Sequence, residues 1–152
     1  CIALSLLHFC KGTSAVATDL SPDALQVARA NAENLGLQSR ISFLCCDLFP
    51  AHREERFPLI VSNPPYIRTE VIPTLEAEVK DHEPMQALDG GGDGLLFYRR
   101  ILSLLPLLLE RGGHLLLEIG YDQNAAVVSL MHQAGLVSVK SIKDLAGRDR
   151  VV

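Results

Sequence analysis

Phe57-Pro58-Leu59-Ile60-Val61-Ser62 runs straight into Asn63-Pro64-Pro65-Tyr66, and this junction decides the fold. The first part is a continuous apolar run of strand length rather than an alternation of apolar and polar residues. Such a run suits a strand covered on both faces, as in a parallel sheet flanked by helices. The paired prolines stop it, because neither can donate a backbone hydrogen bond to a neighbouring strand.

The same punctuation repeats upstream. Ala15 to Thr18 reads as a short strand ending at Asp19, and Ile41 to Cys46 as another ending at Asp47. Between them Ser21-Pro22-Asp23 predicts a helix start. Serine caps the first turn, proline fits the first helical position, and aspartate complements the positive end of the dipole. That helix runs to about Leu35 and stops at Gly36, and residues 1 to 9 read as the remainder of an earlier helix closed by Lys11-Gly12-Thr13.

Downstream, residues 67 to 93 are long and irregular with glycines at 90 to 92, and loops of that length in compact domains are usually functional or mobile. Leu95 to Glu110 predicts a helix, Arg111-Gly112-Gly113 a turn, and His114 to Ile119 a buried strand. Asp122 to Ala134 predicts a helix, Leu136 to Ile142 a strand, and Arg150-Val151-Val152 the opening of one more. Alternating strands and helices predict an α/β fold, an open and mostly parallel sheet with helices on both faces.

Composition narrows the function classes. The chain has 152 residues, the size of one domain, with 48% hydrophobic and 21% charged residues, ordinary for a soluble α/β protein. A net charge of −4 and the lack of a long Lys/Arg run disfavour tight binding to naked nucleic acid. Cys1, Cys10, Cys45 and Cys46 form no Cys-x-x-Cys pair, and the histidines do not fall at metal-ligand spacing, so no metal site is expected. The cysteines read as small buried apolar residues in a reducing compartment. The apolar run Ile101 to Leu109 is far below membrane-spanning length, and the first residues lack the cationic flank of a signal peptide. A cytoplasmic monomer is expected, or one in an organelle matrix. Because Cys1 opens inside an apolar periodic segment with neither methionine nor cap, the start is read as a cut in a longer chain.

Asp19, Asp47 and Asn63 all close predicted strands, where open α/β sheets bind ligands. A carboxylate at the end of the second strand of a nucleotide-binding fold, about 20 residues after a glycine-rich turn, accepts hydrogen bonds from ribose hydroxyls. Asp19 fits that position; a residue that merely approaches the next helix is its plainer reading, as a loop aspartate is for Asp47. Asn63-Pro64-Pro65-Tyr66 carries more chemistry. An amide nitrogen is a poor nucleophile because its lone pair is delocalised into the carbonyl. A site that accepts both of its N–H protons favours the geometry in which the lone pair faces an incoming methyl group. The side-chain oxygen of Asn63 and the backbone carbonyl of Pro64 can be those acceptors, with Tyr66 packed against the planar group. The plainer reading is a loop that uses Pro-Pro to leave a strand.

Val61-Ser62-Asn63-Pro64-Pro65-Tyr66-Ile67 resembles the Asn-Pro-Pro-Tyr motif of methyltransferases acting on planar nitrogens. Glu83-Pro84, Ala87-Leu88, Gly91-Gly92-Asp93-Gly94-Leu95 and Tyr98-Arg99 look like the glutamine-N5 methyltransferases of peptide chain release factors. Leu116-Leu117-Glu118-Ile119-Gly120 and Asp144-Leu145-Ala146-Gly147-Arg148-Asp149-Arg150 extend the likeness across essentially the whole chain. The resemblance implies a Rossmann-like class I methyltransferase fold, S-adenosylmethionine as cofactor, and the glutamine of a Gly-Gly-Gln motif in a release factor as substrate. It implies that Asp19 binds the cofactor ribose and that Asp47 with Leu48 borders the adenine. Asn63 would lie near both cofactor and substrate, with Pro64, Pro65 and Tyr66 completing the amide pocket and Glu83 and Glu118 organising loop and strand ends. Some members of that family carry an aromatic residue where this chain has Leu48.

The family's first strand, its glycine-rich cofactor loop and its small N-terminal helical domain have no counterpart here. Residues 1–152 are therefore expected to be part of a catalytic domain that binds the cofactor weakly in isolation. Three rivals remain at this level. A nucleic-acid base methyltransferase (adenine-N6 or guanine-N2) would present an extruded base to the same four residues. A dehydrogenase could use Asp19 but has no purpose for residues 63 to 66, and a non-catalytic scaffold would have no need to keep them.

Overall fold

The computed structural model describes residues 2–49 and 55–152. The chain divides into two compact units, Cys1–Arg53 and Glu54–Val152.

In the first unit, α1 (Ile2–Phe9) leads to β1 (Ala15–Asp19), α2 (Pro22–Asn34), a short 3-10 turn (Gln38–Arg40) and β2 (Ile41–Cys45). The strands pair in parallel, from Ala15 opposite Ile41 to Asp19 opposite Cys45. A parallel pair needs a crossover, and α2 supplies it. Leu4 and Leu7, one helical turn apart on α1, join Ala32, Leu37 and Ile41 in a core against Ala15, Ala17 and Phe43. Ala15 and Ala17, like Ile41 and Phe43, alternate along their strands and so share one sheet face. Leu7 is 1% exposed, so its burial contributes about 1.5–3 kcal/mol. Arg40 closes the unit from outside by donating to the carbonyls of Thr13 (2.9 Å) and Cys10 (2.7 Å).

The start of α2 is the one the sequence predicts: the Ser21 hydroxyl accepts from Ala24 N–H at 3.2 Å, and Pro22 stands in the first turn. Replacing Ser21 with alanine leaves that N–H to solvent, and the expected cost is about 1 kcal/mol. A lower denaturant midpoint with an unchanged slope would register it; an unmoved midpoint would count against the cap.

The second unit holds β3 (Phe57–Ser62), a 3-10 turn (Ile72–Thr74), α3 (Ala77–Lys80), α4 (Met85–Leu88) and α5 (Leu96–Leu108). These are followed by β4 (Leu109–Leu117), α6 (Asn124–Gln133), β5 (Ile142–Lys143) and β6 (Asp149–Val151). β3 and β4 run parallel, from Leu59 opposite His114 to Ser62 opposite Leu117. The glycine turn expected near 112 survives as an irregularity between two stretches of this ladder, with Gly112 at φ +79°. Beyond it, Leu117 and Val152 exchange backbone hydrogen bonds (2.7 and 2.9 Å), and an isolated antiparallel bridge between Glu118 and Val151 links the β3–β4 pair to the separate β5–β6 pair. On α5, Tyr98, Ile101, Leu102, Leu105 and Leu108 form the buried stripe, at the spacing of one helix face. Pro106 lies in its last turn, and the helix ends two residues later.

The expected strand from Leu136 to Ile142 does not form; only Ile142–Lys143 are paired, with β6. Gly135 (φ +84°) and Ser138 (φ +57°) are both left-handed, which breaks any extended run, and Val137 is 83% exposed. The expected helix over Leu95 to Glu110 yields its last two residues to β4, and the long segment from 67 to 93 contains three short helical turns. The cysteines also differ from expectation. Cys10 and Cys45 are exposed and Cys46 half-buried, all as free thiols, because they sit after α1 and at the end of β2 rather than inside the core. Cys1 lies outside the described residues. Among the described residues no helix is long and apolar enough to cross a membrane.

Candidate active site

The segment that carries the acceptor chemistry leaves β3 at a fixed point. Ser62 accepts from Glu118 N–H at 3.0 Å, so the chain exits the sheet beside the end of β4. Asn63 is exposed, Pro64 is buried, and Pro65 and Tyr66 are half-buried. Past the motif the backbone is caught again: Ile67 donates to Leu88 (3.0 Å), Gly90 donates to Ile67 (2.8 Å), and Thr69 donates to Gly91 (3.1 Å). The irregular region after β3 thus folds back to hold the loop that precedes it.

Glycines permit this close return. A Cβ on Gly90 would stand 2.7 Å from Tyr66 Cα, and one on Gly94 would stand 2.6 Å from the Tyr66 carbonyl oxygen. The turn between them is pinned by two carboxylates. Asp89 accepts from Thr69 Oγ1 (2.7 Å) and Gly91 N–H (2.9 Å), and these bonds lower its pKa. Asp93 is held at about 2, first by its hydrogen bonds from Arg99 and then by Leu95 N–H. Both are charged throughout the physiological range, and Asp93 forms an ion pair with Arg99.

Tyr66 faces a charged group. Its hydroxyl lies 3.4 Å from Glu118 Oε1, and its pKa is raised, chiefly by burial and then by the Glu118 charge, with Arg150 opposing. At neutral pH it is therefore a phenol that donates toward Glu118, as suits a residue that packs against a planar group without taking a proton. Arg150 is anchored in turn by Asp144 (3.2 Å) and the Ile119 carbonyl (3.4 Å). Glu118 thus stands just past the end of β4 with its carboxylate toward Tyr66, whereas Glu83 is exposed beyond α3 and its backbone N–H donates to Val79 (2.9 Å).

Sequence reasoning missed Gln123, 5% exposed at the start of α6. Its Nε2 donates to the carbonyls of Tyr66 (2.9 Å) and Gly94 (3.2 Å), and its Oε1 accepts from Gly120 N–H (3.0 Å) and Tyr98 Oη (3.2 Å). The only local signal is a polar side chain just after the buried run Leu117 to Gly120, which many helix starts share.

Asp19, Asp47 and Leu48 belong to the first unit, and Asn63, Pro64, Pro65 and Tyr66 to the second. Asp19 ends β1, where its carbonyl accepts from Cys46 N–H (3.0 Å) and its Oδ1 accepts from Ser21 N–H (2.9 Å). That bond orients the exposed carboxylate at the carboxyl end of the strand pair. Asp47, also exposed, and Leu48, at φ +59°, follow β2 at the same edge. The three residues expected to meet the nucleoside portion of a cofactor are therefore neighbours within their unit.

The family model for the methyltransferase small domain matches residues 1–117. Among curated proteins, the release factor glutamine methyltransferase of Cereibacter sphaeroides is 49% identical over 152 residues, 100% of this chain and 54% of that protein. The protein of the same name from Caulobacter vibrioides is 47% identical over 151 residues, 99% of this chain and 52% of the relative. That from Clostridium acetobutylicum is 44% identical over 153 residues, 99% and 54%. The chain spans about half the length of the curated relatives it matches. Among solved structures, the hMettl16 catalytic domain in complex with MAT2A 3'UTR hairpin 6 aligns with TM-score 0.68 at 15% identity, covering 96% of this chain and 56% of that one. A ribosomal protein L11 methylase from Lactobacillus delbrueckii subsp. bulgaricus aligns with TM-score 0.57 at 21% identity, covering 91% and 55%. At these identities the structures speak for the fold alone, a Rossmann-like methyltransferase fold. With a family model that matches residues 1–117, most of its length, the chain belongs to the methyltransferase small-domain family.

Proposed function

We propose that residues 1–152 form part of the catalytic domain of a protein that methylates the side-chain amide nitrogen of a glutamine in a peptide chain release factor, using S-adenosylmethionine. The observation that carries this is the doubly anchored Asn63-Pro64-Pro65-Tyr66 segment, held at Ser62 by Glu118 and at Tyr66 by Gln123, with the Asn63 side chain exposed between. The release factor as substrate is supported by the names of relatives 44–49% identical along the chain. Such a substrate places the work in the cytoplasm or an organelle matrix.

The donor set fits the cofactor. An exposed carboxylate oriented by Ser21 N–H at the end of a parallel strand suits ribose hydroxyls, and Leu48 offers an apolar side chain to the adenine. Bound there, S-adenosylmethionine supplies a methyl group already activated by its sulfonium. Asn63 Oδ1 and the Pro64 carbonyl would accept the two amide N–H groups of the substrate, leaving the nitrogen lone pair free for a methyl group. Tyr66 packs against the amide plane. Transfer would form the C–N bond as the methyl–sulfur bond breaks, leaving S-adenosylhomocysteine, and the amide nitrogen would release one proton to solvent only afterwards, so no strong base is needed. The rate advantage comes from positioning.

The test is to incubate the whole protein that carries this chain with labelled cofactor and either purified release factor or total RNA. The expected result is one methyl group on a single glutamine of the release factor and none on RNA. Labelled adenine or guanine with an unlabelled release factor would replace the glutamine assignment with the nucleic-acid base alternative.

A further inference from the structure

Gln123 is the buried polar side chain among the described residues; its Nε2 donates to two carbonyls, and its Oε1 accepts from Gly120 N–H and shares the single Tyr98 hydroxyl proton with the Glu118 carbonyl (3.0 Å). The contacts also fix which way the amide points. Turned over, it would set its oxygen against two carbonyls and its NH2 against the Gly120 N–H, so only one orientation satisfies all the partners. Neighbouring backbone leaves little room for movement: a Cβ on Gly94 would meet Nε2 at 2.5 Å, and one on Gly120 would meet Oε1 at 2.9 Å.

The mechanical consequence follows from the two prolines. Each fixes its own φ near −65°, and each restricts the residue before it, so Asn63 and Pro64 are both held toward extended conformations. A short segment with so few soft torsions behaves as a stiff strut whose direction is set at its ends. One end is the Ser62 carbonyl, bound to Glu118 N–H at 3.0 Å. The other is the Tyr66 carbonyl, bound to Gln123 Nε2 at 2.9 Å. If the second end is released, Tyr66 stays tied through the Ile67 backbone bonds and its hydroxyl contact with Glu118, but its peptide plane is no longer fixed and the Pro64 carbonyl gains freedom about the first end.

We propose that Gln123 is a positioning residue for methyl transfer: by gripping the Tyr66 carbonyl it sets the aim of the Asn63 and Pro64 acceptors. The inference rests on the proposed use of residues 63 to 66 as the amide pocket. Gln123 touches neither substrate nor cofactor in this scheme. Its loss lowers turnover while leaving the cofactor contacts of Asp19, Asp47 and Leu48 unchanged.

The sharpest variant is Gln123→Glu. It keeps the shape and the acceptor toward Gly120 and Tyr98, but when ionised it offers no donor to Tyr66 or Gly94. Burial beside two carbonyls raises the pKa of such a carboxyl, and once protonated it can again donate to Tyr66. In the whole protein, kcat on the release factor is expected to fall about 10- to 100-fold at pH 8.5, the loss typical of a displacement near 1 Å. KM for the cofactor should stay within roughly twofold, and the ratio to wild type should recover severalfold at pH 6 as the carboxyl protonates. Gln123→Met, with no titrating group, should give a ratio that does not change with pH. Amide hydrogen exchange supplies a readout independent of substrate: at pH 8.5, residues 66 to 69 should exchange faster in Gln123→Glu than in wild type, with residues 41 to 45 unchanged. A pH-independent kcat ratio in Gln123→Glu, a kcat loss matched by an equal loss of cofactor affinity, or unaltered exchange at 66 to 69 would each overturn the positioning role. If wild type fails to label release factor while the exchange contrast is present, the glutamine assignment falls and the clamp on Tyr66 stands.

Discussion

Asn63→Ala in the whole protein should lower methyl transfer to the release factor by at least about 100-fold, the size of effect seen when one preorganised hydrogen-bonding partner is removed from a reacting centre. Asn63 is exposed at the end of β3, and its backbone exit is fixed by neighbours rather than by its own side chain. Stability should therefore change by no more than about 0.5 kcal/mol, as for ordinary surface substitutions. The combination separates a chemical role from a folding role. Asn63→Asp sharpens the point, since it keeps an acceptor oxygen where the amide oxygen stood while exchanging the NH2 donor for a second, negatively charged acceptor. If the asparagine works by accepting a substrate N–H, the aspartate variant should be roughly 10-fold better than alanine, about the difference a hydrogen bond of 1.4 kcal/mol makes. Initial rates with labelled cofactor at saturating substrate, beside thermal unfolding of the same samples, would decide it. An alanine variant that keeps more than about a third of wild-type turnover would remove Asn63 from the mechanism.

The features legible in the sequence were those whose causes are local. Ser21-Pro22-Asp23 contains its whole explanation, because a hydroxyl, a locked φ and a carboxylate each act on the turn that follows. Phe57–Ser62 is legible as a strand for the same reason, since an apolar run bounded by Pro-Pro has no other regular state open to it; the expected covering of both faces is not met, because Pro58 and Leu59 are exposed and the other four residues only half-buried. Asp19 and the Asn63-Pro64-Pro65-Tyr66 segment could be picked out because they stand where such strands end.

Features set by distant partners were not legible. Leu136-Val137-Ser138-Val139 reads as a strand, yet Ser138 is left-handed, and serine gives no warning of that as glycine or asparagine would. Gly90 to Gly92 announced a loop, but not which glycine touches what. The neighbour that makes Gly90 and Gly94 indispensable is Tyr66, far upstream in the chain. Gln123 was hidden for the same reason. Its meaning lies in carbonyls contributed by Tyr66 and Gly94 and in a hydroxyl from α5, and none of these can be read from α6 alone.

That distinction predicts that Gly94, like Gly90, cannot be replaced whereas Gly92 can. Gly94 sits at φ +73°, where a side chain costs about 1–2 kcal/mol, and an added Cβ would also stand 2.5 Å from Gln123 Nε2 and 2.6 Å from the Tyr66 oxygen. The second of these atoms is backbone, already held by Gln123, so it has no easy direction in which to retreat. Overpacking of this kind costs a further ~1–3 kcal/mol. Gly94→Ala is therefore expected to destabilise the second unit by roughly 2–5 kcal/mol, the sum of those two ranges, and to lower the melting temperature by on the order of 10 °C. Gly92→Ala is the matched control two residues away: it is exposed, and nothing lies within 4 Å of its added Cβ. Its stability should stay within about 0.5 kcal/mol of wild type. Relief of the strain should also separate the two causes. Gly94→Ala combined with Gln123→Ala removes one of the two clashing atoms but leaves the left-handed φ and the Tyr66 contact. The double variant should accordingly remain less stable than Gln123→Ala alone by at least about 1 kcal/mol. Equal stability of Gly94→Ala and Gly92→Ala, followed by circular dichroism on heating, would show that the Tyr66 carbonyl is free to move and that the loop carrying the acceptors is not the rigid strut this chemistry requires.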